Sequence, residues 1–366
     1  MRQLSAPTKS AVAAVVALAA LSLAALDGAA ATQPRTLQKH VSGRIESLAF
    51  DGTRVAYDVA GSYGATQRCN SVYVWNVRRG ATTRVSGRQT CGADNTSTGA
   101  GVRELALAGG RVAWIVNQGG NSESGDYLYI TSVASAHERL LASAFRTGDV
   151  SGVLTGNWLG GLVGSGAFVA VDHWATDSRG AVTSSRLQRV GSRLGGLAKG
   201  TGTRLAEATD GRQVAVLRDD GTIALYSTRG ALLRTVTPAH GATEVALRRD
   251  YLAVLTTADT LEVYNSHSGR RLRTWRVAHG ARSLDVSSGF ATYIAPFPGG
   301  GYARLVHIRR LKSGPDRVLP STPPQLIGVQ IEPVGLVYAL DRVAPGESGT
   351  LVFVPMSRIV HTVRGG

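Results

Sequence analysis

The chain has 366 residues, 43% of them apolar and 45 of them glycine. That much apolar material excludes a disordered chain, and the glycine points to many tight turns. The formal net charge is +15, from 40 Lys and Arg against 25 Asp and Glu. Such a balance suits a polyanionic partner, an anionic cell-envelope polymer or a lipid surface. It follows equally from Arg-rich codon usage, since nearly all the cations are arginine and the Ala, Gly, Val and Arg bias is that of a GC-rich bacterial genome. The arginines are spread along the chain and form no single basic block, so no nucleic-acid partner is expected.

Arg2 and Lys9 precede an uncharged run, Ala11 to Leu26, and Ala29-Ala30-Ala31 then supplies small residues. This is the pattern of a secretory signal peptide over residues 1–31, with a mature chain beginning near Thr32. The run is short for a membrane span, which takes about 20 apolar residues, although an uncleaved anchor is the alternative. No cysteine follows it, which excludes a lipoprotein anchor. The expectation is an exported protein with no transmembrane segment in its mature part and one domain over residues 32–366. The two cysteines, Cys69 and Cys91, are expected to pair in an oxidising compartment. Free thiols are the alternative.

One short pattern recurs along the mature chain, a turn residue followed by an apolar strand centred on Val-Ala. It stands at Arg54-Val55-Ala56-Tyr57, Arg111-Val112-Ala113-Trp114, Phe168-Val169-Ala170-Val171, Gln213-Val214-Ala215-Val216 and Tyr251-Leu252-Ala253-Val254. Degenerate copies stand at Phe290-Ala291-Thr292-Tyr293 and Leu336-Val337-Tyr338-Ala339. The spacing suits propeller blades. Each copy follows one short alternating strand, with first strands near Glu46, Glu104, Leu159, Arg204, Glu244, Ser283 and Leu326, and precedes two more. The expected fold is all-β, a seven-bladed β-propeller of four-stranded antiparallel blades. Either the strand Thr36–Val41 or Ile359–Val363 supplies the outer strand of the last blade.

Arg218-Asp219-Asp220-Gly221-Thr222-Ile223-Ala224-Leu225-Tyr226-Ser227 resembles the turn and third strand of WD-repeat propellers, with Tyr226 in place of the usual Trp. The stretch Thr260 to Gly269 is similar, and Val74-Trp75-Asn76 comes near the eponymous dipeptide. His240-Gly241 and His279-Gly280 fall where that family places a His before the first strand. In the family this His bonds a turn Asp, which implies a pair between His240 and Asp259 and leaves His279 without a matching acid. The resemblance implies a binding scaffold.

No nucleophile elbow, Cys-His pair, phosphate loop or metal-binding His motif is present, so no catalytic residue, metal or cofactor is expected. Aligning the first strands on their repeats puts Ala49, Ala106, Val163, Glu207, Ala246, Asp285 and Gly328 at one position near the channel. The acids among them, Glu207 and Asp285, suit a cation or an acid and base pair. Pairing with arginines at the channel mouth, or plain solvation, serves them equally. A second cluster, Asp172-His173-Trp174, ends a second strand before a long irregular hairpin, Ala175 to Ser185. Alternation sets Asp172 and Trp174 on one face and His173 on the other. A Trp packed between blades is the plainer reading. The leading expectation is therefore a monomeric, exported, non-catalytic scaffold for a protein or an envelope glycan. An exported propeller enzyme of lyase, hydrolase or lactonase type, with its site at a channel mouth, is the alternative.

Overall fold

The computed structural model describes residues 35–60, 70–87, 100–119, 123–148, 153–200, 204–296, 304–319, 326–342 and 348–364. The chain separates into two units, Met1–Arg35 and Thr36–Gly366, and the fold is that of the second. After β1 (Leu37–Ser42), β2 (Leu48–Asp51), β3 (Arg54–Val59), β4 (Ser71–Asn76) and β5 (Thr82–Arg84) form a four-stranded antiparallel sheet. Next come β6 (Ala100–Ala108), β7 (Arg111–Gly119), β8 (Glu123–Ser132), β9 (Arg139–Gly148), β10 (Leu154–Ser165), β11 (Phe168–Thr176), β12 (Val182–Val190) and β13 (Leu194–Gly200). These join in a single eight-stranded sheet, because the end of β9 pairs with the start of β10.

Three further four-stranded sheets follow. One holds β14 (Arg204–Thr209), β15 (Gln213–Arg218), β16 (Ile223–Ser227) and β17 (Leu232–Val236). Another holds β18 (Ala242–Arg248), β19 (Tyr251–Thr256), β20 (Thr260–Asn265) and β21 (Arg271–Arg276). The third holds β22 (Arg282–Ser287), β23 (Phe290–Pro296), β24 (Arg304–Arg310) and β25 (Asp316–Leu319). The last sheet contains β26 (Leu326–Glu332), β27 (Gly335–Arg342) and β28 (Ser348–Pro355), with β1 as its outer strand, and the chain continues into α1 (Met356–Arg364). The innermost strands touch in succession: β2 meets β6, then β10, β14, β18, β22 and β26 follow, and β26 returns to β2.

The Val-Ala repeats are second strands, and the packing explains their composition. Along β7, Val112, Trp114 and Val116 enter the interface with the first sheet, while Ala113 and Ile115 enter the next one. A strand buried on both faces reads as continuously apolar, and β-branched residues fit its pleat. Small alanines at the inner end leave room where neighbouring sheets converge: Ala56, Ala113, Ala170, Ala215 and Ala253 are each 0% exposed.

Several details correct the sequence reading. The outer strand of the last sheet is β1, paired from Leu37 opposite Phe353 to Ser42 opposite Ser348. Ile359–Val363 is helical instead, because Ile359 and Val363, one turn apart on α1, sink together into the apolar cluster of the last two sheets. The hairpin after Trp174 is largely paired, with one register shift between Ala175 and Thr176. Its strands continue to Thr176 and resume at Val182, and the turn is closed by the Asp177 carboxylate, which accepts the backbone N–H of Arg179 and of Ala181, both at 2.9 Å. The histidine facing Asp259 is His279, with Nδ1 at 3.1 Å from both carboxylate oxygens. The pair links a turn to the segment leading out of its own sheet, and at 95% exposure of the histidine it adds little stability. Cys69 and Cys91 lie outside the described residues.

Candidate functional site

β-bulges shape the innermost strands. The ladder skips a residue between Val102 and Glu104 in β6, Ala206 and Ala208 in β14, and Ala242 and Glu244 in β18. Longer irregularities fall between Gly160 and Val163 in β10 and between Arg282 and Asp285 in β22. A bulge removes backbone groups from the ladder and bends the strand, and the N–H groups left over need acceptors.

Acids of the preceding inner strand accept from two such groups, Leu162 and Leu284, and from Ile331 in a regular stretch of β26. Leu162 N–H donates to Glu104 Oε2 at 2.7 Å, Leu284 N–H to Glu244 Oε2 at 2.8 Å, and Ile331 N–H to Asp285 Oδ2 at 2.7 Å. Asp51 does the same at the far end, accepting from Gly109 and Gly166, which belong to two different strand pairs. Asp285, one of the two acids expected near the channel, is therefore a clamp between sheets. Burial pushes its carboxyl up to about 6, against the pull of the N–H groups of Ile331 and Val286 and of the Arg248 charge.

Glu207 has another position. Ala208, not Glu207, stands opposite Ala215, just as Ala49 faces Ala56 and Ala106 faces Ala113. In β26 it is Val329, not Gly328, that faces Tyr338 of the repeat. The proposed equivalence was one residue out at both places, because a bulge, at Glu207 in β14 and between Leu326 and Gly328 in β26, consumes a residue that a count along the chain does not show. Glu207 is itself the bulge residue, at the place that Arg103 and Thr243 hold in their own strands. It lines a cavity of about 170 Å³ together with Asp285, Arg248, Gln330 and Glu332. Burial first, then the charges of Glu244 and Glu104, push its carboxyl up to about 7. At neutral pH such a group is about half protonated. Arg248 pairs with Glu332 and donates to Ser165 Oγ at 3.1 Å, which neutralises the other end of the cavity. Burial raises the Glu332 carboxyl and Arg248 opposes the rise.

A second opening of about 320 Å³ is lined by Glu46, Arg103, Glu104 and Ser283 among others. Beside it lies the Trp174 that the sequence singled out. A Cβ at Gly160 would stand 2.9 Å from Trp174 Cη2, 3.0 Å from Glu104 Oε1 and 3.1 Å from Arg103 Nη2. The absence of a side chain at Gly160 lets the three converge. Trp174 pairs across the ladder with Trp158, and the two half-buried rings lie nearly parallel, 3° apart, with centroids 6.0 Å apart. Arg146 stacks on Trp158 at 3.8 Å. It is held there by Asp126, 2.8 Å from its Nη1, and this carboxylate is fully buried. Asp126 also meets Arg103 Nη1 at 3.4 Å.

The ladder keeps Asp172 opposite Gly160 and His173 opposite Leu159, so Asp172 shares a face with Trp174 and His173 takes the other, as expected. Asp172 is buried within its sheet. Burial and the nearby Arg186 charge lower the His173 pKa. None of the three lines either opening, and only Trp174 lies beside the second, against Arg103 and Glu104. Glu104, Glu244, Arg103, Asp126, Arg146 and Trp158 were not anticipated as members of a site. A signal existed for some of them: Glu46, Glu104 and Glu244 recur at the expected starts of first strands. Among the described residues, no group of three or more His, Cys, Asp and Glu is placed to hold a metal ion.

No family model matches the chain, and no curated protein matches it. Among solved structures, it is similar to a β-propeller chain in the crystal structure of the mitotic checkpoint complex, with a TM-score of 0.53 and 15% identity. The match covers 88% of this chain and 91% of that one. With its antiparallel sheets and self-closing succession of inner strands, the chain has a β-propeller fold. At this identity the likeness speaks for the fold alone.

Proposed function

We propose that the chain is an exported, non-catalytic β-propeller scaffold, with seven blades, that holds a protein or a glycan of the cell envelope. The blade count treats the eight-stranded sheet as two blades whose edges meet where β9 pairs with β10. The observation that carries the binding role is the parallel Trp158 and Trp174 pair beside Arg103 and Glu104. A partly exposed aromatic pair rimmed by a guanidinium and a carboxylate suits a polyhydroxylated ring or a peptide side chain, and aromatic and Arg residues dominate binding energy at interfaces. Its rigidity comes from the buried Asp126 and Arg146 pair, which needs no ordering when a partner arrives. The WD-repeat likeness of the turns agrees with a scaffold. So does the leader pattern, and among the described residues no helix is long and apolar enough to cross a membrane.

Cross-linking of the purified chain to intact cells tests the reading. The wild type is expected to recover a discrete protein or glycan, and Trp158→Ala/Trp174→Ala to recover about tenfold less or worse, the loss of one hot spot. Equal recovery by both would remove the site, and no recovery by either would remove the scaffold.

Glu207 favours a second reading, an exported propeller enzyme. A carboxyl near pH 7 facing two other acids is suited to proton transfer. A Glu207→Gln variant separates the readings, since a scaffold keeps its capture and has no turnover to lose.

The same reading includes a disulfide between Cys69 and Cys91 across the edge of the first blade. Its support is local. Val72 N–H donates to Ser86 Oγ at 2.9 Å and Val85 N–H to Val72 O at 2.9 Å. The described chain therefore approaches Asn70 and leaves Gly87 side by side, one residue from Cys69 and four from Cys91 by their numbers. Thiol titration of denatured, unreduced protein from an oxidising compartment is expected to find no thiol. Two thiols would refute the bond, and with it about 3 kcal/mol of loop-closure stabilisation.

A further inference from the structure

The cations that look dispersed along the chain have one dense tract. Residues 270–312 hold Arg270, Arg271, Arg273, Arg276, Arg282, Arg304, Arg309, Arg310 and Lys312, and a single acid, Asp285. Asp285 is spent on the backbone of the last sheet. The fold sorts these cations. Arg271, Arg273 and Arg276 are exposed on β21, an outermost strand, and Arg270 is exposed just before it. Arg273 Nε donates to the backbone oxygen of Lys312 at 3.4 Å, so the exposed Lys312 of the next sheet joins the same rim.

The neighbouring acids are occupied. Glu262 is buried and faces Arg271 at 3.4 Å. Asp316 is engaged by Tyr293 Oη at 2.8 Å, His307 Nδ1 at 2.7 Å and Arg309 at 3.9 Å. The exposed Asp250 and Asp259 each face a histidine, His267 and His279.

Cations on an edge strand discourage pairing with other chains, and that need alone would place them on every edge. β5 carries only Arg84, β13 only Lys199, β17 only Arg234 and β25 only Arg317. β21 carries three, and the turn before it and the neighbouring sheet add two more. The ladder shifts register between Arg273 and Arg271, so Arg271 and Arg276 share one face of β21 and Arg273 takes the other. The cations flank the free edge of the outermost strand along its length, which suits a linear polyanion. The aromatic ring within it, Trp275, is half-buried with Arg309 at 5.2 Å over its face, and single-stranded DNA measures whether it stacks bases. Among the described residues, no exposed large apolar side chain stands on β21 itself or beside Lys312 in its turn; the exposed Leu232, Leu233 and Val318 belong to β17 and β25.

We propose that the rim formed by Arg270, Arg271, Arg273, Arg276 and Lys312 binds a phosphodiester-linked polymer of the cell envelope. The choice of an envelope polymer as the source of phosphate rests on the export reading above. The rim's affinity for the polymer does not, and is measured with purified protein.

The test is retention on immobilised poly(glycerol phosphate), with single-stranded DNA and anionic phosphatidylglycerol vesicles as parallel arms. With about four cations engaged, counterion release lowers affinity about 50-fold between 50 and 200 mM salt. Arg273→Glu/Arg276→Glu/Lys312→Glu is expected to lose at least about 20-fold in retention, two to three phosphate contacts. Arg78→Glu/Arg79→Glu/Arg84→Glu, with the same change of net charge on exposed residues of the first sheet, is expected to stay close to wild type. Thermal melts confirm that both variants fold. Equal losses in the two variants would reduce the effect to net charge and overturn the rim. Tighter retention on DNA or vesicles than on the polymer, or no retention at all, would overturn the assignment of the ligand.

Discussion

Replacing Asp126 by alanine is expected to destabilise the propeller by about 3–5 kcal/mol, the range for breaking a buried ion pair from one side. The carboxylate has no exposed surface and serves four donors. They are Arg146 Nη1 at 2.8 Å, Asn117 Nδ2 at 2.8 Å, Leu159 N–H at 3.2 Å and Arg103 Nη1 at 3.4 Å. Without it Arg146, whose side chain is 4% exposed, keeps a buried charge with no anion, and Leu159 loses the acceptor of its N–H. Thermal unfolding of Asp126→Ala should show Tm lowered by about 10 °C, given 2–4 °C per kcal/mol in domains of 150–250 residues. Asp126→Leu/Arg146→Met should recover much of the loss, since removing both partners of a buried pair is often neutral. A loss below about 1 kcal/mol would put the pair in the class of surface bridges. It would also leave the Trp158 and Trp174 plate without the support assigned to it.

The urea midpoint is expected to fall as pH rises from 5 to 8, and Asp58 should account for a large share of the fall. Asp58 is fully buried, and burial, more than any neighbour, pushes its carboxyl up to about 7. The sign follows from linkage. Below the unfolded value near 4 the group is neutral in both states and costs nothing. Between about 4 and 7 the unfolded state has released its proton while the folded state still holds it, so stability is lost progressively until pH has risen through 7. Three units at 1.36 kcal/mol each amount to about 4 kcal/mol, fully lost only above pH 7. In Asp58→Asn the Oδ1 acceptor for the N–H groups of Glu46 and Ser47, at 3.1 and 2.6 Å, is kept. Asn70 Nδ2, which donates to Oδ2 at 2.9 Å and to Glu46 Oε2 at 3.1 Å, gives up one of these two bonds in the variant. The variant should therefore show a flatter pH profile and gain on the wild type above pH 7. Glu207 and Asp285 act with the same sign, although Glu207 faces the cavity and is discounted for its contact with solvent. A midpoint that rises between pH 5 and 8, or an unchanged slope in the Asn variant, would contradict the assignment.

Much of the site was out of reach of the sequence for reasons that particular residues make plain. Trp174 was singled out as a large aromatic ending a second strand, but its value depends on Trp158, 16 residues earlier by number, which becomes its partner only through the register of β10 on β11. Glu207 was found for the wrong reason. Its neighbour Ala208 holds the crowded inner position, and the bulge sends Glu207 to the cavity. Asp285 was found at the right position and given the wrong part, since nothing in the local sequence shows that Ile331, 46 residues on, needs an acceptor.

The amino-acid sequence by itself determined the alternation of apolar and polar residues, and with it the all-β class, the recurring second strands and the turns between them. These are local properties: a strand with two buried faces must be apolar and compact wherever it stands. The sequence also set the charge balance and the rarity of acids between residues 270 and 312. Only the tertiary structure decided which terminus supplies the outer strand of the last sheet, where each inner strand takes a bulge, and which acid meets which N–H group. It also decided which of His240 and His279 faces Asp259, and which arginines line one rim. Each of these depends on strands brought together from distant parts of the chain. A shift of one residue in register turns every side chain to the opposite face, so pairing across the sheets, and not spacing along the chain, sets what each charged residue does.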